Sequence, residues 1–274
     1  MIKPPLKWAG NKFRVLPHLL PLIGTPTRYC EPFGGSLSVA LNVQADEYIL
    51  NDVNKDLVAI YQRLVNPNDD SFIKYCEELF TSENNTKESY LELREHFNSA
   101  TDSIERARLF VYLNRHCFNG LSRYNSKGGF NVPFGKYDKP VCPSEQMNEF
   151  RMLFLSKQSV KFTSLSFEYS VLYSDLEAGD VVYFDPPYVP ASDTANFTSY
   201  ATDGFSHERQ VELKELAESL ANRGVKVILS NHDVPVTREL YKNAQIYPIQ
   251  VTRTISAKGS SRKKANELIA VWQS

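Results

Sequence analysis

The ten residues VVYFDPPYVP at 181–190 put a fixed end on any strand they form. Val181, Val182, Tyr183 and Phe184 make the short apolar run expected of a strand buried on both faces. Asp185 closes the run. Pro186 and Pro187 then forbid its continuation, because neither has an N–H to give to a sheet ladder. Tyr188 follows at once. The stretch therefore predicts a core strand whose C-terminal end presents a carboxylate, a rigid turn and an aromatic ring together.

Three other segments have the same form. RYCEPFGG runs into Gly34 and Gly35, EYILNDVN carries Ile49 and Leu50 into Asn51 and Asp52, and VKVILSNH lies at 225–232. Short apolar strands separated by helical stretches predict a mostly parallel α/β sheet. Helices fit between them: SLSVALNV after the glycine pair, and 207–224, where Val211, Leu213, Leu216, Ala217 and Leu220 share a face and Gly224 suits a C-cap. From about 56 to 144 the character changes. DLVAIYQRLV, SFIKYCEELF, SYLELREHFNSA and SIERARLFVYLNRHCFNG read as amphipathic helices with no parallel-strand signal between them. Gly128-Gly129 then sits between two β-prone runs, which predicts a hairpin arm at about 118–137. The expected organisation is a catalytic domain over 1–55 and 145–274 with a helical module, 56–144, inserted into it.

In an open α/β sheet, ligands bind at the carboxyl ends of strands near a topological switch point. Gly34 and Gly35 allow close approach of backbone to a ligand, and a helix N-terminus is expected after them. Asp52 falls 17 residues beyond Gly35. That spacing suits an acid bonding ribose hydroxyls, although capping a helix begun near Asn54 accounts for it more simply. No G-x-G-x-x-G pattern accompanies them, which argues against an ordinary dinucleotide fold. In D-P-P-Y, the Asp185 carboxylate and the carbonyl of Pro186 both accept hydrogen bonds. Together they suit an exocyclic –NH2 on a planar base, and Tyr188 offers a ring to stack on it.

Net charge is −1, with 31 Lys and Arg against 32 Asp and Glu, so any nucleic-acid surface must be local. Between Arg115 and Lys139 there are five basic residues against the single acid Asp138, interleaved with Phe118, Tyr124, Phe130, Phe134 and Tyr137. Such a patch neutralises phosphates, and an arginine on it can read guanine O6 and N7. Leu121, flanked by polar residues, suits a wedge into a base step. A second basic run, 258–264, suits either DNA contact or a solvated loop. The four cysteines are widely spaced and the five histidines scattered, so no metal site is expected. No apolar run has the length of a membrane span, and MIKPPLKWAGNK lacks a signal-peptide core, so the expected location is the cytoplasm.

Taken together, LKWAGNK, EPFGG, YLNRHCFNGLSRYNSKGGFNVPFGKY, DPPY, TANFTSY, LSNHD and GSSRKKANELIA resemble the DNA adenine methylase (Dam) family over nearly the full length. The order of motifs is that of the α group of amino-methyltransferases. The resemblance implies a Rossmann-like α/β fold that uses S-adenosylmethionine, with an inserted helical DNA-recognition domain carrying a β-hairpin arm. It implies methyl transfer to adenine N6 in double-stranded DNA, within GATC, by base flipping. S-adenosylhomocysteine is the implied product, with no metal and no membrane involved. The chain is expected to be a monomer acting in a bacterial or phage setting.

By the same resemblance, Trp8 and Lys12 line the cofactor pocket, Phe33, Gly34 and Gly35 surround its methionine part, and Asp52 holds its ribose. Asp185, Pro186 and Tyr188 grip the flipped adenine, with Asp185 also beside the cofactor. Lys7 and Arg123 read guanines. Phe118, Asn119, Leu121 and Pro133 act at the opened base pairs, and Arg94, Arg115, Asn125 and Lys139 contact phosphates. Two positions depart from the family pattern: Leu37 stands where a glycine is expected, and Phe118 where a tyrosine is expected. Two alternatives stay open at this stage. One is an amino-methyltransferase of a restriction-modification system with another target, and the other is a catalytically inactive DNA-binding protein on the same fold.

Overall fold

The computed structural model describes residues 1–69, 71–190, 205–252 and 264–273. In chain order the elements are α1 (Leu16–Ile23), β1 (Arg28–Glu31), β2 (Glu47–Asn51), α2 (Lys55–Leu64), α3 (Phe72–Glu77), α4 (Lys87–Ser99) and α5 (Ser103–His116). They continue as α6 (Ser144–Leu155), β3 (Ser159–Thr163), α7 (Phe167–Leu172), β4 (Val181–Phe184), α8 (His207–Asn222) and β5 (Lys226–His232). α9 (Pro235–Leu240), β6 (Gln245–Thr252) and β7 (Lys264–Trp272) complete the series. The chain divides into two compact units. One comprises 1–13, 34–42 and 52–164, and the other 14–33, 43–51 and 165–274.

The second unit holds most of a seven-stranded sheet ordered β3-β2-β1-β4-β5-β7-β6. β1 pairs in parallel with β2 and β4, β4 pairs in parallel with β5, and β7 joins antiparallel to β5 and β6. The order reverses between β1 and β4, which makes their carboxyl ends the switch point of the sheet. All four residues of β4 are buried, which is why its sequence is continuously apolar rather than alternating. Val182, Phe184, Val227 and Leu229 pack with Leu213, Ala217 and Leu220 of α8 in one core. Gly224, with φ +83°, follows α8 and returns its N–H to Ala221 O, in the left-handed role expected of it.

Two expectations are corrected here. The helix predicted over SLSVALNV is reduced to a single 3-10 turn at Ala40–Asn42. Leu37 adopts φ +57° and its N–H closes a tight turn on Gly34 O at 2.7 Å, so regular helix cannot run through it. On α8 the buried stripe runs through Gln210, Leu213, Ala217 and Leu220 instead of beginning at Val211.

The first unit is built on α5, which packs against α2, α3 and α4. Asp102 caps its start, accepting from the N–H groups of Ile104 and Glu105. From Cys117 the chain doubles back on itself. Antiparallel bridges join Cys117 to Phe134 and Tyr124 to Phe130, and the turn lies at Asn125–Gly129. Asn125 Oδ1 accepts from the N–H of Lys127 and of Gly129, which fixes that turn.

Candidate functional site

In the second unit, β4 delivers Asp185 half-buried at its carboxyl end, followed by buried Pro186 and half-exposed Tyr188. The residues after Asp185 are held by side chains from α8 and β5. Gln210 Nε2 donates to Pro187 O at 2.8 Å, and Val189 N–H donates to Asn231 Oδ1 at 3.0 Å. The Tyr188 ring stands edge-on to His232 with centroids 5.0 Å apart, and its hydroxyl donates to Glu267 at 3.3 Å. Burial, then the negative charge of Asp185, push the Tyr183 and Tyr188 phenols well above their ordinary range. Both therefore stay as neutral O–H groups beside the carboxylate. Phe33 stacks on Phe167 at 5.3 Å and meets Phe184 edge-on at 6.3 Å, an aromatic wall next to the D-P-P-Y strand.

The remaining cofactor candidates lie in the first unit. Asp52 bridges the glycine turn and the start of α2: Oδ2 accepts from Gly35 N–H at 2.9 Å and Oδ1 from Asn54 N–H at 2.8 Å. The helix cap is Asn54, whose side chain accepts from Asp56 and Leu57, so Asp52 does not cap α2. Burial raises the Asp52 pKa, and the two N–H donors partly offset this. Gly35 has φ +48°, and its carbonyl accepts from the Tyr61 hydroxyl at 2.7 Å. A Cβ at Gly35 would lie 2.8 Å from Cδ1 of Trp8, so the turn and the indole sit together only because no side chain intervenes. Lys12 is buried, with its ammonium on Gly10 O at 2.7 Å. A partly buried acid tied to a bare glycine turn, beside an aromatic face, is a donor set that fits a nucleoside-bearing cofactor such as S-adenosylmethionine.

The same unit carries the candidate DNA contacts. Lys7 is locked at its backbone to Asn114, whose Oδ1 accepts from Lys7 N–H at 2.9 Å and whose amide donates to Lys7 O at 2.7 Å. Its ammonium lies 4.3 Å from the centre of the Tyr137 ring. Burial, then the Arg115 charge, lower the Lys7 pKa, and burial lowers that of Arg115. No carboxylate among the described residues pairs with either, so the two cations share one uncompensated patch. Arg123 is exposed on the arm and oriented by Asn131, with Nε to its side-chain oxygen at 2.7 Å and Nη2 to its carbonyl at 3.1 Å. Phe118 is 49% exposed, Asn119 takes φ +54° and donates its N–H to the Tyr137 hydroxyl, and Leu121 is half-buried. Pro133 and Lys139 are exposed, Arg94 donates to Val132 O at 3.2 Å, and the Asn125 oxygen is engaged in the turn. The basic run over 258–263 lies outside the described residues.

A glycine turn tied to an acid, and a D-P-P-Y turn on the switch-point strand, are the features of an amino-methyltransferase. Residues 8–255 match the family described as D12 class N6 adenine-specific DNA methyltransferase, and the chain belongs to that family. It is similar to the DNA adenine methylase of Escherichia coli (strain K12), at 42% identity across 98% of this chain and 94% of that protein. The DNA adenine methylase of Vibrio cholerae is 41% identical over 97% of this chain and 95% of its own. That of Serratia marcescens is 42% identical over 98% and 97%.

Several residues that hold these loops are not singled out in the sequence, although Asn114 lies within YLNRHCFNG and Asn231 within LSNHD. Gln210, Asn231, Asn114 and Tyr61 are buried polar groups within helices or strands, and each bonds a loop far away in sequence. For Gln210 the sequence clue is a polar residue where the helical period calls for an apolar one.

Proposed function

We propose that the chain transfers a methyl group to adenine N6 within GATC in double-stranded DNA, with the target base turned out of the duplex. S-adenosylmethionine, when bound, supplies an electrophilic methyl group, and the product is S-adenosylhomocysteine. No metal enters the proposed reaction. In this reading residues 56–144 recognise DNA, while 1–55 and 145–274 carry catalysis. The protein acts as a monomer in the bacterial cytoplasm, and no described helix is long and apolar enough to cross a membrane.

The observation that carries the reading is the held D-P-P-Y turn, with a half-buried carboxylate next to phenols kept neutral. Asp185 and the Pro186 carbonyl accept the two N6 hydrogens, so the amine's lone pair is turned away from the ring and toward the methyl donor. Tyr188 replaces the stacking that the base leaves behind. Turning the base out costs a few kcal/mol in unstacking and unpairing. Exposed Phe118, with Asn119, Leu121 and Pro133, offsets that cost by filling the gap. Lys7 and Arg123 read guanines, and Arg94, Arg115, Asn125 and Lys139 bear on phosphates. Trp8, Lys12, Phe33, Gly34, Gly35 and Asp52 seat the cofactor, Asp52 through its ribose.

The test is digestion of unmethylated plasmid after incubation with protein and cofactor, using nucleases that cut only methylated or only unmethylated GATC. Conversion to the methylated pattern is expected. Methyl incorporation with unaltered GATC cutting would remove the target assignment.

A further inference from the structure

The two residues on either side of Tyr188 are held by one buried network. Gln210, on the core-facing stripe of α8, is 3% exposed, and Asn231 and Tyr241 are fully buried. Asn231 Nδ2 donates to Gln210 Oε1 at 3.3 Å and to the Tyr241 hydroxyl at 3.0 Å, and that hydroxyl donates to Gln210 Oε1 at 3.3 Å. The outward-facing ends of the two amides are both committed to the loop. Gln210 Nε2 donates to Pro187 O, and Asn231 Oδ1 accepts from Val189 N–H and from His232 N–H. Each amide is thus oriented by the other and by Tyr241, so neither can flip without leaving a buried polar group unmatched.

Prolines at 186 and 187 remove two N–H groups that could have anchored this turn to the sheet. The carbonyl of Pro187 and the N–H of Val189 flank Tyr188 on either side, and the network takes both. We propose that Gln210 and Asn231, braced by Tyr241, are positioning residues that set the orientation of Tyr188 and of the carboxyl end of β4 for methyl transfer. This rests on D-P-P-Y being the base-holding element. The three side chains lie in the core behind the turn, and they act through the loop backbone.

The test compares Gln210→Met, which keeps volume but removes both polar atoms, and Tyr241→Phe, which removes only the brace, with the unaltered protein. Single-turnover methylation of a GATC duplex is expected to fall about ten- to a hundredfold for Gln210→Met and less for Tyr241→Phe, as for misplaced catalytic groups generally. The KM for DNA and the affinity for S-adenosylmethionine should change by no more than about twofold, since uniform binding is untouched. Hydrogen exchange at the Val189 amide should speed up in both variants, a readout that needs no DNA and holds whatever the target sequence. Unaltered protein inactive on GATC would overturn the target reading, and the amide exchange would still decide the positioning claim. Either a near wild-type rate in folded Gln210→Met or unchanged Val189 exchange overturns the proposal. So does a rate loss matched by equal losses of cofactor affinity and thermal stability, which is the mark of general destabilisation.

Discussion

Asp185 combines two demands that pull in opposite directions. It must keep its charge to accept from an amine, yet it follows a strand with no exposed residue. Asp185 sits half-buried at that end, and burial first, then its negative charge, hold the Tyr183 and Tyr188 phenols well above their ordinary range. Asp185→Ala should therefore reduce methylation below detection in a labelled-methyl assay while leaving duplex binding within about twofold, since the lost interaction acts in the transition state. Near wild-type turnover in that variant would contradict the role. Arg123 is exposed and held by two hydrogen bonds to Asn131, through Nε and Nη2. Arg123→Ala should cost about 1–3 kcal/mol of discrimination at one base pair and little elsewhere. Rates on a panel of singly altered sites read this directly, and equal discrimination at every position would remove the assignment.

Legibility differs from element to element for physical reasons. β4 and its ending were readable because a four-residue apolar run and two prolines act locally. α8 was readable in extent because its pattern and Gly224 are local too, and Leu213, Ala217 and Leu220 are buried as expected, but at its first turn Gln210 is buried in place of Val211. Gln210 faces the core to meet a carbonyl 23 residues earlier, which no helical period reveals. SLSVALNV failed as a helix for a related reason. Leu37, where glycine was expected, keeps the left-handed backbone with φ +57°, at a strain of roughly 1 kcal/mol, and so ends any helix there. Gly35 sits two residues before it in the same turn, with φ +48° against the Trp8 ring. Gly35→Ala should add strain and displace the indole. About 1–2 kcal/mol of such strain corresponds to a roughly tenfold weaker hold on S-adenosylmethionine, measurable by calorimetry. Unchanged affinity would place the cofactor away from this turn.

Across the whole molecule, a net charge of −1 coexists with an uncompensated cation pair at Lys7 and Arg115, and the proposed reading assigns DNA contact to that surface and not to the average charge. The same surface affects stability. Burial first, and then the charges of Lys7 and Arg115, depress His116 from 6.5 to about 4, against the Tyr112 carbonyl that favours its proton. The folded chain thus stays neutral there while the unfolded chain takes up a proton below pH 6.5. Stability should fall as pH drops from about 6.5 toward 4, by at most about 1.4 kcal/mol per pH unit from this group, and level off below. Melting curves of His116→Gln across that window should be flatter than those of the parent, and identical slopes would contradict the assignment. The most direct test of the account is to treat unmethylated genomic DNA with the protein and S-adenosylmethionine and map every modified base at single-nucleotide resolution. The account predicts N6-methyladenine at the second position of GATC on both strands, absent with Asp185→Ala. Methylation of cytosine N4, or of adenine outside GATC at comparable frequency, would contradict it.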